Sequence, residues 1–167
     1  RRVPVRSRRN HLLEVIESLN VNTPADKTDL SGIFEAAAGI YPNRGMMIVI
    51  SDLLADPEQT LRGLKILRQR GHDVLVLHVM DDDEIDFPFS GPTRFDDLEI
   101  DRHLNCNPQA LRDGYLSELE QFLKTIRRGT ASAVIDYALI RTSDPMDAAM
   151  AEFMSRRLAL QNKKRGG

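Results

Sequence analysis

Cysteine is nearly absent from the sequence: Cys106 is its only example. One thiol excludes an intrachain disulfide and any multi-cysteine zinc site, and it fits a reducing compartment, so a cytoplasmic location is expected. Long apolar runs are missing too. None approaches the roughly 20 residues needed to span a bilayer, and no membrane segment is expected in this chain. Neither sign of charge dominates, because 23 Lys and Arg stand against 25 Asp and Glu. The net charge of -2 supplies no field for gathering nucleic acid.

Several catalytic signatures are also lacking. No G-x-x-x-x-G-K or G-x-G-x-x-G occurs, so neither ATP nor a dinucleotide is implied, and any nucleotide chemistry would belong to a partner. His11, His72, His78 and His103 are scattered without a pair at metal-ligand spacing. No Ser or Cys occupies a recognisable nucleophile turn. His78, inside an apolar run, reads as a hydrogen-bonded core residue.

What is present is ordinary globular material. With 167 residues, 41% hydrophobic and 29% charged, a single domain over residues 1–167 is expected, burying roughly two-thirds of the surface exposed when unfolded. Arg1, Arg2, Arg6, Arg8 and Arg9 crowd one end and Lys163, Lys164 and Arg165 the other; such runs read as solvated ends. The first residue is Arg1 and no signal-peptide pattern follows it, so a piece of a longer or processed protein is expected.

Hydrophobic spacing predicts the elements. A helix capped by Ser7 runs to Leu19 on Leu12, Leu13, Val15, Ile16 and Leu19, and a polar connection spans Asn20 to Lys27. A second helix starts near Thr28 and ends before Pro42, with Leu30, Ile33, Phe34, Ala37 and Tyr41 as its stripe. Met46 to Ile50 is read as a buried parallel strand, being continuously apolar. Asp56-Pro57 caps a helix that buries Leu61, Leu64 and Leu67 and ends near Gly71, with Arg68 at the margin of that stripe able to keep its charge in water. A second buried strand covers Asp73 to Val79. Thr93–Leu98 and Arg102–Cys106 form a hairpin, Pro108 opens a long helix, Asp136–Ile140 is a third strand, and Asp144-Pro145 starts a helix ending near Leu160. Alternating strands and helices define an α/β class with a mostly parallel sheet and right-handed crossovers.

The chemistry concentrates where the apolar run Met46-Met-Ile-Val-Ile-Ser-Asp52 ends. Ligands of open α/β sheets bind beyond the carboxyl ends of the strands, where Ser51 and Asp52 stand. Asp56 already caps the next helix, so the Asp52 carboxylate is free for a hard cation such as Mg²⁺, with the Thr28 hydroxyl as a second oxygen. Set against this, a Thr or Asp before an amphipathic run is ordinarily an N-cap, and two residues make a sparse shell. A second candidate is Asp81-Asp-Asp-Glu84, which mimics the D-x-D of Mg²⁺-dependent phosphotransferases, with Asp81 as nucleophile and Asp83 as acid/base. An acidic, solvated loop is the plainer reading of that run.

Six segments carry a resemblance: Ser7-Arg-Arg-Asn-His-Leu-Leu, Lys27-Thr-Asp-Leu, Ile50-Ser-Asp-Leu-Leu, Arg70-Gly-His-Asp-Val-Leu-Val-Leu-His-Val, Phe89-Ser-Gly-Pro-Thr-Arg-Phe-Asp-Asp-Leu-Glu and Ile135-Asp-Tyr. In these the sequence resembles the bacterial domain-of-unknown-function family 58, which is similar to von Willebrand factor A domains. The resemblance implies a Rossmann-like three-layer sandwich with a small hairpin insertion and a metal-ion-dependent adhesion site. It places Thr28 and Asp52 as metal ligands, with Ser51 behind Asp52. It further implies a non-enzymatic interaction module holding Mg²⁺ in the complete protein, a protein partner of the MoxR-type AAA+ ATPase class, and no nucleic acid. The D-x-S-x-S element of such sites occurs nowhere in the 167 residues. The domain is therefore expected to be N-terminally incomplete, to hold metal poorly, and to present sheet edges that favour self-association.

Overall fold

A computed structural model describes residues 3, 11–21, 29–96 and 103–165. The chain divides into two units, Arg1–Lys27 with Asp96–His103, and Thr28–Phe95 with Leu104–Gly167.

In the smaller unit, helix α1 spans His11–Val21, and His11 Nδ1 lies 2.9 Å from Glu14 Oε2 across its first turn. Ser7, its expected cap, lies outside the described residues. The apolar stripe of α1 is open, with Leu12, Leu13 and Leu19 exposed and only Ser18 buried.

The larger unit is built on three parallel strands in the order β1-β2-β5: β1 (Met46–Ser51), β2 (Asp73–Met80) and β5 (Asp136–Arg141). Met46 pairs with Asp73, and Leu75 with Asp136. Helices α2 (Leu30–Ile40), α3 (Pro57–Gln69) and α5 (Pro108–Ser132) cover one face. Phe34, Ala38, Leu61, Leu64, Leu67 and Ile126 form a core there with Val74 and Val76. Helix α6 (Met146–Arg165) lies on the other face over β2 and β5, where Phe153 packs on Leu75, Leu77 and Ile140. Helices on both faces of a parallel sheet make this an α/β Rossmann-like sandwich: the α/β class is the one the alternation predicts, and the sandwich is the one the resemblance implies.

Local signals explain the boundaries. Asp29 caps α2 by accepting from Gly32 N–H at 3.0 Å, and Asp56 caps α3 from Gln59 N–H at 2.8 Å with Pro57 at the first helical position. Gly63 lets α3 close on α2, since a Cβ there would lie 2.6 Å from Phe34 Cδ2. Arg68, at the margin of the buried stripe, is half-buried, and its Nη1 donates to the His72 carbonyl at 3.0 Å, tying the end of α3 to the turn before β2. On α6, Arg157 is buried. It hydrogen-bonds the Asp73 carboxylate and lies 3.1 Å from Asp136 Oδ2 without hydrogen-bond geometry, tying α6 to the starts of two strands.

Four further expectations need correction. Strand β1 is not enclosed: it is an edge strand, and Met46, Ile48 and Ile50 are 56%, 54% and 68% exposed. Asp73 N–H donates to the Gly45 carbonyl, so the odd-numbered residues of β1 face β2. Met46, Ile48 and Ile50 therefore turn their main-chain groups to the outer edge. The acidic run is not a loop. It forms a short helix α4 (Asp82–Asp86), capped by Asp81 and closed by Phe87 at φ 44. The strands β3 (Thr93–Asp96) and β4 (His103–Cys106) pair as a separate two-stranded sheet, shorter than predicted, and the intervening turn lies outside the described residues. Finally, α6 runs past the expected end at Leu160.

Candidate functional site

Strand β1 delivers Ser51 and Asp52 to its carboxyl end, beside His78 of β2, which is in register with Ser51. The turn that follows is held from both sides. Ser51 Oγ accepts from Leu53 N–H at 3.0 Å, Asp52 Oδ1 accepts from Leu54 N–H at 3.1 Å, and the Ser51 hydroxyl reaches Asp52 Oδ1 at 3.4 Å. Among the described residues, Asp52 Oδ2 accepts no hydrogen bond. Leu53 is fully buried and adopts φ 54, a left-handed conformation that costs a leucine about 1–2 kcal/mol. Such strain persists where the surroundings impose it and clusters at functional sites.

His78 is the buried, hydrogen-bonded residue expected, and its partners were invisible in the sequence. Its Nε2 lies 2.8 Å from the Asp52 carbonyl oxygen and its Nδ1 2.8 Å from the Tyr137 hydroxyl. Phe122 and Tyr137 pack edge-to-face on the ring. Burial pushes the imidazole below its ordinary value, and the nearby Arg127 charge adds to this. The hydrogen bond to Asp52 and the Asp52 charge act the other way. Burial likewise raises the Tyr137 phenol.

A negative field gathers near this end of the sheet. Glu84 is raised above the usual carboxylate range, first by burial and then by the charges of Asp52 and Asp81. The second sequence candidate is otherwise engaged. Asp81 Oδ1 accepts from Asp83 N–H at 2.9 Å and Oδ2 from the Thr142 hydroxyl at 2.7 Å, and these bonds hold Asp81 below its ordinary range. Both oxygens of the supposed nucleophile thus serve the cap of α4 and its tie to the residue after β5. Arg141 clamps two further carboxylates of α4, reaching Asp82 at 2.7 Å and Asp86 at 2.8 and 3.0 Å.

The oxygen-only donors at Ser51 and Asp52 suit a hard cation. One carboxylate is an arm of a site, however, and among the described residues no three His, Cys, Asp or Glu side chains converge on one. Thr28 lies outside the described residues; the cap of α2 that it was weighed against is made by Asp29. The structure brings Ser51 to Asp52. It adds His78, Leu53 and Tyr137, of which only His78 carried any signal, as a polar residue inside an apolar strand. Among the described residues, no helix is long and apolar enough to cross a membrane.

Three curated relatives align, an uncharacterized protein of Mycobacterium bovis and uncharacterized proteins of two Mycobacterium tuberculosis strains. Each is 31% identical over 119 residues, 68% of this chain and 37% of the relative. The aligned part of the chain thus spans 37% of the length of the curated relatives it matches. No solved structure matches. A family profile matches residues 1–125, and the chain belongs to that family, described as Protein of unknown function DUF58.

Proposed function

We propose that this chain is part of a non-enzymatic protein-interaction module in which Asp52 is one ligand of a Mg²⁺ ion that captures an acidic side chain of a partner. The placement of Asp52 carries the reading. It leaves the carboxyl end of a parallel strand, on a turn held by Ser51 and strained at Leu53, with one carboxylate oxygen uncommitted among the described residues. The von Willebrand A-like resemblance implies the rest of the shell: Thr28 from this chain and a D-x-S-x-S element, which these 167 residues do not contain. A metal held this way keeps a coordination position for a partner's carboxylate. The partner class that goes with the resemblance is a MoxR-type AAA+ ATPase.

The test is a calorimetric titration of Mn²⁺ or Mg²⁺ into the full-length protein and its Asp52→Asn variant. Binding by the wild type that falls at least tenfold in the variant is expected. Equal affinity in both, or no binding in either, defeats the reading. Phosphoester hydrolysis that disappears in Asp81→Asn would also overturn it.

A further inference from the structure

We infer that His78 is the positioning residue of the Asp52 site, locking the peptide unit between Asp52 and Leu53 and with it the direction in which the Asp52 carboxylate leaves the sheet. The inference deepens the proposed metal-binding reading, and its metal-affinity arm rests on that reading.

That peptide unit is gripped at both ends. Its carbonyl, on Asp52, lies 2.8 Å from His78 Nε2, and its N–H, on Leu53, donates to Ser51 Oγ at 3.0 Å. Rotating the peptide would break both bonds. Leu53, at the far end of this unit, is itself fully buried in the core beneath the helices.

The proton inventory of His78 follows from its partners. A carbonyl oxygen only accepts, so Nε2 must carry the hydrogen. The ring is fully buried, where a neutral imidazole is favoured. Nδ1 is then a bare acceptor, and the Tyr137 hydroxyl donates to it at 2.8 Å. Tyr137 thereby fixes the tautomer that Asp52 needs. Phe122 holds the ring plane edge-on at 5.9 Å between centroids, and the charged groups felt by the ring are Asp52 and Arg127. The arrangement repeats the logic of metal sites in which an outer hydrogen bond orients the liganding residue. Here the bond is made to the main chain of the ligand rather than to its side chain.

Three variants of the full-length protein separate positioning from packing. His78→Gln places an N–H donor where Nε2 stands, His78→Leu removes both hydrogen bonds and keeps an apolar filler, and Tyr137→Phe removes the donor to Nδ1 together with the phenol's bond to Arg127. Long-range ¹H–¹⁵N spectra of the wild type should show His78 protonated at Nε2 alone. The Leu53 and Leu54 amide signals should stay near their wild-type positions in His78→Gln and Tyr137→Phe and move in His78→Leu. Mn²⁺ affinity should fall about tenfold or more in His78→Leu and be restored to within about threefold in His78→Gln. A proton on Nδ1, or unmoved Leu53 and Leu54 amides in His78→Leu, would overturn the inference. So would wild-type Mn²⁺ affinity in His78→Leu when Asp52→Asn has lost binding. If the wild type shows no Asp52-dependent binding, the metal reading fails, and the tautomer and amide signals alone decide the role of His78.

Discussion

Two buried histidines, one just before β2 and one near its end, show how differently the same side chain can be used. His78 has a partner for each ring nitrogen, whereas His72, equally buried, has none for either among the described residues. A buried polar group without a hydrogen bond costs about 1–3 kcal/mol, more than the net gain of a typical bond. Replacing His72 by Leu should therefore raise stability by about 1 kcal/mol, seen as a higher urea midpoint with an unchanged slope. A lowered midpoint would show that the ring earns its place by packing. At this scale the sequence marked Asp52 and Ser51, because strand ends in α/β sheets are where ligands bind. It could not mark Tyr137, which is 59 residues from His78 and meets it only because β5 lies beside β2.

At the scale of elements, β1 stands out. Its residues are apolar in both directions, the pattern of a strand enclosed on both faces, yet it sits at an edge with Met46, Ile48 and Ile50 open. Native edges are ordinarily blunted by charge, commonly Lys. The 167-residue chain should therefore self-associate in a concentration-dependent way, and Ile48→Lys should shift it toward monomer in sedimentation velocity. Unchanged association in the variant would place the contact elsewhere. Helix and strand positions were readable from spacing and caps: Asp56-Pro57 and Pro108 start α3 and α5 where expected. The enclosure of β1 was not, because periodicity reports which residues can be buried and is silent on what covers them. Helix α4 was missed for a related reason. Its five residues are too few for a period to show, and its stability comes from an Asp81 cap and an Arg141 clamp that arrives from 55 residues away.

Over the larger unit as a whole, ionic ties join elements that hydrophobic packing alone leaves adjustable. Arg141, at the end of β5, holds α4 through Asp82 and Asp86. The Ser143 side chain and Arg141 keep Asp82 below its ordinary carboxylate value of 3.8, and Arg141 does the same for Asp86. Because both carboxylates are held lower in the folded than in the unfolded chain, their contribution is complete above that value. It is lost as pH falls through the still lower folded values. Arg141→Ala should consequently melt below the wild type at neutral pH, with the gap narrowing under strong acid, as thermal unfolding across pH would show. The pairs are partly exposed, so the neutral-pH gap should be modest and shrink with salt. A gap independent of pH would mean that Arg141 acts through its aliphatic stem.

The sequence by itself determined the α/β class, the three strands of the main sheet, most helix starts and the position of the Asp52 carboxylate. Each of these is written in local spacing, capping residues and turn chemistry, which act over a few residues. Only the tertiary structure decided that β1 is the strand left open at an edge, that Asp81 is committed to a cap, and that His78 grips the Asp52 peptide with Tyr137 behind it. Those outcomes depend on which strands become neighbours, a property of the assembled sheet that no window of the chain contains.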